Sequence, residues 1–178
     1  MNKTVYRLIS FAVAIALAFG ASSQVLASAA RLAPKVVYVG TTGRDSNSGS
    51  STSPFKTFAQ AVSVLAPGDT LQVMPGTYYE PLLLSRSGTA TAPITVIGNG
   101  AMLNMQGTKT FGIRITGSHI NVSNFEITGG QDVGIGIPGK NITVANNKIH
   151  HNVTENGVGT CGTASSWSTW MGPGPAAV

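Results

Sequence analysis

Phe111-Gly-Ile-Arg-Ile-Thr-Gly-Ser-His-Ile-Asn-Val-Ser-Asn-Phe-Glu-Ile127 returns in pattern as Val133-Gly-Ile-Gly-Ile-Pro-Gly-Lys-Asn-Ile-Thr-Val-Ala-Asn-Asn-Lys-Ile149, offset by 22 residues. The identical pairs are Gly112/Gly134, Ile113/Ile135, Ile115/Ile137, Gly117/Gly139, Ile120/Ile142, Val122/Val144, Asn124/Asn146 and Ile127/Ile149. Within each copy apolar residues alternate with polar ones over short runs. That period of two belongs to a strand with one buried face. A repeat of this length, built only of short strands and Gly/Asn turns, is one coil of a solenoid. The pattern predicts an all-β chain folded as a parallel β-helix with coils of about 22 residues.

Working outward, three coils can be written. The first is irregular, with strands at Pro81–Leu84, Ile94–Ile97 and Met102–Asn104. The next two follow the repeat, at Phe111–Thr116, Ile120–Ser123 and Phe125–Thr128, then at Val133–Ile137, Ile142–Ala145 and Asn147–His150. Coils stacked one strand spacing apart, about 4.8 Å, would set Ile113 on Ile135, Ile115 on Ile137 and Val122 on Val144. Asn124 and Asn146 fall at one corner, where Asn tolerates left-handed backbone and can pass side-chain hydrogen bonds to the next coil. They read as a structural ladder. Gly117 and Gly139 mark a second, tighter corner.

Upstream, Lys35–Val39 reads as a strand and residues 43–53 as a polar loop of turn formers. Apolar residues at 58, 61, 62 and 65 have helical spacing. Ser53 or Thr57 is the candidate N-cap, and Pro67-Gly68 the stop. Asp69-Thr70 then leads into a strand at Leu71–Met74. An open solenoid end exposes core and unpaired strand edges, so the helix at 57–65 is expected to lie across the N-terminal end as a cap. Downstream, Asn156–Gly159 is the start of a fourth coil. Residues 161–178 read as an irregular tail with no strand set, as in a truncated or frame-shifted piece of a longer solenoid. The bare C-terminal edge predicts self-association.

The first 29 residues read as an export leader. Lys3 and Arg7 precede an apolar run from Leu8 to Phe19, too short for a membrane span of roughly 20 residues. Ala27-Ser28-Ala29 is an A-x-A cleavage site. Cleavage after Ala29 leaves 149 residues, one domain, outside the cell with no membrane attachment. The formal charge of +5 falls to about +3 without Lys3 and Arg7. That is too sparse for a nucleic-acid footprint and compatible with an acidic polysaccharide. Cys161 is the single cysteine, so no internal disulfide frames the fold.

Three segments carry a family resemblance. Tyr38-Val-Gly-Thr-Thr-Gly-Arg-Asp-Ser-Asn-Ser-Gly-Ser-Ser-Thr-Ser-Pro-Phe-Lys-Thr-Phe-Ala-Gln-Ala resembles the opening module of secreted bacterial β-helix proteins. Ala66-Pro-Gly-Asp-Thr-Leu-Gln-Val-Met-Pro-Gly-Thr-Tyr and Ser87-Gly-Thr-Ala-Thr-Ala-Pro-Ile-Thr-Val continue it, and Asn147-Lys-Ile-His-His-Asn152 fits a corner of the coils. Over residues 36–160 the chain resembles the N-terminal half of the family 9 polysaccharide lyases, which are pectate-lyase-like. The resemblance implies a right-handed parallel β-helix. It also implies Ca²⁺ held by clustered aspartates on later coils, with a lysine base that removes a uronate C5 proton before the C4 oxygen leaves. Oxygen ligands suit Ca²⁺, and a lysine must be deprotonated to act as a base. Here the aspartates are Asp45, Asp69 and Asp132, which are scattered, and no lysine follows Lys148. The Ca²⁺ ligands and the catalytic set therefore map onto no position of this chain, and fold analogy alone supplies no activity.

The outward strand positions and their corners supply the candidate substrate contacts: Arg114, Asp132, His150, His151 and Glu155, with Gln131 and Asn152 beside them. Arg114 suits a uronate carboxylate. His150, His151 and Glu155 suit proton transfer or metal binding, although adjacent His150 and His151 in a straight strand point to opposite faces. Asp132 and Glu155 are the candidate carboxylate pair for a hydrolase. Asp45-Ser-Asn-Ser-Gly49 begins like a calcium loop but lacks the distal Glu, and reads as an Asx turn. Trp167 and Trp170 are candidate sugar-stacking rings. No metal site is assigned. The favoured expectation is a secreted polysaccharide-active protein of the lyase type, acting on an acidic polysaccharide such as pectate and lacking the catalytic residues. The alternative is a non-catalytic glycan-binding or cell-surface β-helix.

Overall fold

A computed structural model describes residues 33–152, together with the backbone of two later strands at 155–160 and 164–171. The leader and its cleavage site lie outside these residues. The strands are β1 (Val36–Val39), β2 (Thr70–Val73), β3 (Thr77–Tyr78), β4 (Leu82–Leu84), β5 (Ile94–Asn104), β6 (Ile113–Ile115), β7 (Ile120–Thr128), β8 (Val133–Ile137), β9 (Ile142–His150), β10 (Glu155–Thr160) and β11 (Ala164–Met171). One helix, α1, spans Phe58–Ser63. Among the described residues the strands form two sheets. One runs β1-β2-β5-β7-β9-β11, with β3 also on β5, and the other runs β4-β6-β8-β10. Neighbouring strands are parallel, so the chain returns to the same side once per coil, as the repeat predicts.

Register follows the repeat. Ile113 pairs with Ile135, and Ile120, Val122 and Ile127 pair with Ile142, Val144 and Ile149. Earlier coils are longer, since Leu82 pairs with Ile113 and Ile94 with Ile120. The inward residues form continuous apolar columns. Val37, Leu71, Val96, Val122 and Val144 make one, and Tyr78, Leu103, Ile127 and Ile149 another. All are buried, and each full burial of an aliphatic side chain stabilises the fold by about 1.5–3 kcal/mol.

The expected pairs of short strands in the larger sheet are single long strands with a bend. Ser123 and Ala145 pair just before the bend, and Glu126 and Lys148 beyond it. At the bend, Asn99, Asn124 and Asn146 have φ of 49°, 62° and 55°. Asn reaches this left-handed region at lower cost than most residues. The ladder expected of Asn124 and Asn146 is a ladder of backbone shape, because both are exposed. The side-chain bonds between coils come from the next residue, Asn147, which is buried. Its Oδ1 accepts from the Phe125 N–H at 3.0 Å, and its Nδ2 donates to the Val122 and Ala145 carbonyls at 3.4 and 3.0 Å. At a further corner the buried Asn152 Oδ1 accepts from the Gly130 N–H at 2.8 Å.

The helix is shorter than the expected 57–65, because Val64 already leaves the helical hydrogen-bond pattern as its C-cap. Thr57, not Ser53, is the N-cap, accepting from the Gln60 N–H. Phe58, Ala61 and Val62 are its buried face. They pack towards β1 and β4, the first strands of the two sheets, with the Phe58 and Tyr78 rings 5.0 Å apart.

The 161–178 segment differs from its reading as an irregular tail. Ala164–Met171 forms β11, with Trp167 opposite Val144 and Met171 opposite Ile149. The strand lacks Ile and Val but keeps an apolar residue at these two core registers. Asn156–Gly159 lies within β10, as expected of a fourth coil.

Candidate functional site

Alternation along β7 and β9 buries Phe125, Ile127, Asn147 and Ile149 and turns Glu126, Lys148 and His150 outward. Parallel register brings these together, since Glu126 pairs with Lys148 and Thr128 with His150. The Glu126 Oε1 accepts from Lys148 Nζ and meets His150 Nε2, each at 2.8 Å. The hydrogen bond from Lys148, then that from His150, hold the Glu126 carboxyl below its ordinary value of 4.5. An exposed pair of this kind adds little stability, so the cluster's interest is its geometry. His150 ends β9, and His151 follows with φ 54°. The opposite-face placement holds for a straight strand, and this left-handed corner is the bend that departs from it. Their Nδ1 atoms lie 2.6 Å apart, with the rings edge to face.

Arg114 lies elsewhere, on β6, outward and exposed, with Leu83 and Gly136 as its neighbours on the adjacent coils. Its guanidinium stacks 5.4 Å from the centroid of the Phe111 ring, a favourable cation–π placement. Gly136 projects no side chain beside the guanidinium. Asp132 is exposed in the turn between β7 and β8, its N–H bonded to the Thr110 carbonyl. Gln131 donates Nε2 to the Gly107 carbonyl at 2.7 Å. The backbone of Glu155 pairs with Val133, which places Asp132 and Glu155 on neighbouring coils, as expected. The side chains of Glu155, Trp167 and Trp170 lie outside the described residues. The sequence candidates thus divide between two sheets: His150 and His151 close the larger one, and Arg114 stands on the smaller.

A third place was not anticipated. Thr41, Lys56, Thr77, Tyr78, Tyr79 and Glu80 line a cavity of about 440 Å³ beside the capping helix. Tyr79 is exposed, and the Lys56 Nζ donates to the Thr41 carbonyl. Burial raises the pKa of Glu80 against the lowering bond from the Phe58 N–H. The Tyr78 hydroxyl, inward and bonded to the Met74 carbonyl at 2.7 Å, is pushed up to about 12, mainly by burial.

Of the five acidic side chains among the described residues, all but Asp132 are engaged elsewhere. Asp45 is neither a calcium loop nor an Asx turn. Its carboxylate reaches 11 and 12 residues ahead to the N–H groups of Lys56 and Thr57 and to the Thr57 hydroxyl. These bonds, Thr57's first, lower its pKa. The buried Asp69 accepts from the Lys35 and Ala66 N–H groups at 3.0 and 2.9 Å. Glu80 and Glu126 are engaged as described. No three His, Cys, Asp or Glu side chains converge on a metal position among the described residues. The Ca²⁺ implied by the resemblance therefore does not fit the donors described, and no chemistry is routed through it.

Sequence reasoning missed Glu126 and Phe111. Both were within reach: Glu126 stands the same 22 residues before Lys148 that separate the repeats, and Phe111 is three residues before the outward Arg114.

Comparison with known proteins agrees with this architecture. A family model described as "Pel9A-like, right handed beta helix region" matches residues 37–169. Pectate lyase L of Dickeya dadantii (strain 3937) is 27% identical over 135 residues, covering 66% of this chain and 32% of that protein. The uncharacterized protein YwoF of Bacillus subtilis (strain 168) is 42% identical over 59 residues, covering 33% of this chain and 13% of that protein. The chain thus spans a third or less of the length of these relatives. Among solved structures, pectate lyase Pel9A superposes with a TM-score of 0.52 at 22% identity, covering 67% of this chain and 40% of that one.

Proposed function

The chain belongs to the Pel9A-like right-handed β-helix family, and from that membership we propose that it works outside the cell by contacting an acidic polysaccharide of the kind pectate lyases act on. The observation that carries the reading is Arg114. Its exposed guanidinium is held over Phe111, and among the described residues no carboxylate pairs with it. A guanidinium presents a planar fork matched to a carboxylate, and the Phe111 ring adds an apolar face for a sugar. The relationship to pectate lyase L supports a uronate polymer as the ligand class. Elimination is not part of the proposal, since neither a calcium cradle nor a placed base is present among the described side chains.

The test uses protein exported from an expression host and recovered from the medium, where its N-terminus is expected at Ala30. Retention in gels containing polygalacturonate is expected, and Arg114→Ala should weaken it about tenfold, the loss of one charge-assisted hydrogen bond of about 1.5 kcal/mol. Arg114→Lys should recover part of the loss. Equal retention of wild type and Arg114→Ala would remove Arg114 from the contact. A calcium-dependent rise in ultraviolet absorbance from unsaturated product would show instead a complete lyase. Protein found only inside the cells would count against export.

A further inference from the structure

The Glu126, His150 and His151 cluster has a geometry that polysaccharide binding does not call upon. We propose that His150 and His151 together bind a divalent transition-metal ion, Zn²⁺, Cu²⁺ or Ni²⁺, through their two Nδ1 atoms. Adjacent residues of a straight strand project to opposite faces. The left-handed corner at His151 turns the second ring back, and the Nδ1 atoms converge to 2.6 Å. Two nitrogens bound to one metal at about 2.0–2.1 Å stand roughly 2.9–3.4 Å apart, for angles between square and tetrahedral. The pair opens to that spacing by less than an ångström, within reach of side-chain rotation at the exposed His151.

Glu126 sets the chemistry of the first ring. Its Oε1 meets His150 Nε2 at 2.8 Å, so the ring's proton belongs on Nε2 and the lone pair on Nδ1, facing His151. A metal-bound histidine characteristically donates its other ring N–H to a carboxylate in this way, which fixes tautomer and orientation. Lys148, on the same oxygen at 2.8 Å, keeps that carboxylate ionised. Metal binding displaces the proton that lies between the two Nδ1 atoms, while the His151 Nε2 takes one up from solvent, so both rings bind as neutral imidazoles. Imidazole nitrogen selects Zn²⁺, Cu²⁺ or Ni²⁺ over Ca²⁺. Among the described residues no third His, Cys, Asp or Glu joins, so the two imidazoles are the described donor set.

The experiment is a competition titration of each metal between a chromogenic chelator and the full exported protein carrying no histidine tag, near neutral pH. One-to-one binding is expected. His151→Asn, which keeps a residue suited to left-handed backbone, should weaken it at least about tenfold. Glu126→Gln should weaken it about tenfold, the lower end for a lost outer-shell carboxylate. His119→Asn is the matched control. His119 also has left-handed φ, at 55°, but its Nε2 faces Asn141, so metal binding should not change. The electron paramagnetic resonance spectrum of the wild-type Cu²⁺ complex provides a readout independent of any variant, and imidazole nitrogen hyperfine structure is expected. Absence of binding up to millimolar metal, binding by His151→Asn equal to wild type, or an oxygen-only copper spectrum would each overturn the site.

Discussion

Gly139→Ala is expected to abolish the folded state or cut its stability by more than about 3 kcal/mol, above the ordinary range for overpacking. The reason is backbone, not side chain. A Cβ built on Gly139 lands on the Gly117 carbonyl oxygen, and one built on Gly117 lands on the Arg86 carbonyl oxygen. These corners lie coil upon coil, tied by the Gly139 N–H to Ile115 at 2.9 Å and the Gly117 N–H to Leu84 at 3.0 Å. Neither carbonyl can retreat without breaking the ladder that spaces the coils. Gly136, three residues earlier, is the control. Among the described residues a Cβ there meets Val133 Cγ2, at 3.7 Å, an ordinary contact. Gly136→Ala is expected to be neutral or stabilising by up to about 1 kcal/mol, since it also narrows the unfolded ensemble. Denaturant unfolding followed by circular dichroism compares the two. Similar midpoints for Gly139→Ala and Gly136→Ala would refute the stacked-corner account.

The second large effect separates the two asparagines of the Asn146-Asn147 pair. Asn147→Ala strips the acceptor from the buried Phe125 N–H and the donor from the Val122 and Ala145 carbonyls. Each buried group left unsatisfied costs about 1–3 kcal/mol, so with three groups affected a loss of at least about 3 kcal/mol is expected. Asn124→Ala, at an exposed corner with φ 62°, should cost about 1 kcal/mol through backbone strain alone. Asn124→Gly should cost less than Asn124→Ala, because glycine adopts that φ freely. If Asn124→Ala proved more damaging than Asn147→Ala, the side-chain ladder would belong where the sequence pattern first placed it.

That contrast shows what the sequence could and could not carry. The coils from Ile113 to Ile149 were legible because strand alternation and the 22-residue repeat are both consequences of stacking. Which of two neighbouring asparagines turns inward was not. Asn124 and Asn146 align as identical residues, while Asn147 stands opposite Phe125, and identity attracted the reading. The bend at that corner also made one continuous strand resemble two. Ala164–Met171 was missed because Ser and Thr fill half of its positions, although Trp167 and Met171 keep the core registers opposite Val144 and Ile149. Of the candidate site, single residues were readable and their association was not. Arg114 and His150 both alternate outward, but only strand register shows that they stand on different sheets. The His150–His151 convergence depends on one left-handed residue that no periodicity encodes.

The coils also differ in how strictly their length is set, and that difference bears on how such a chain can change. Ile113 to Ile135 and Ile120 to Ile142 advance in identical steps, whereas Leu82 to Ile113 and Ile94 to Ile120 advance further with the same inward columns intact. Surplus residues are absorbed in the turns, for example after Leu84 and after Asn104. The bend takes some as well, since Gly98, Asn99 and Gly100 of β5 stand against Asn124 alone, but the straight runs tolerate no such freedom, because a slip of one residue turns every core side chain out to solvent. Duplication of a whole coil adds a rung whose neighbours are already complementary to it. The architecture therefore lengthens by whole rungs and diversifies by lengthening turns, and new surface chemistry can be acquired at its corners without redesign of the interior.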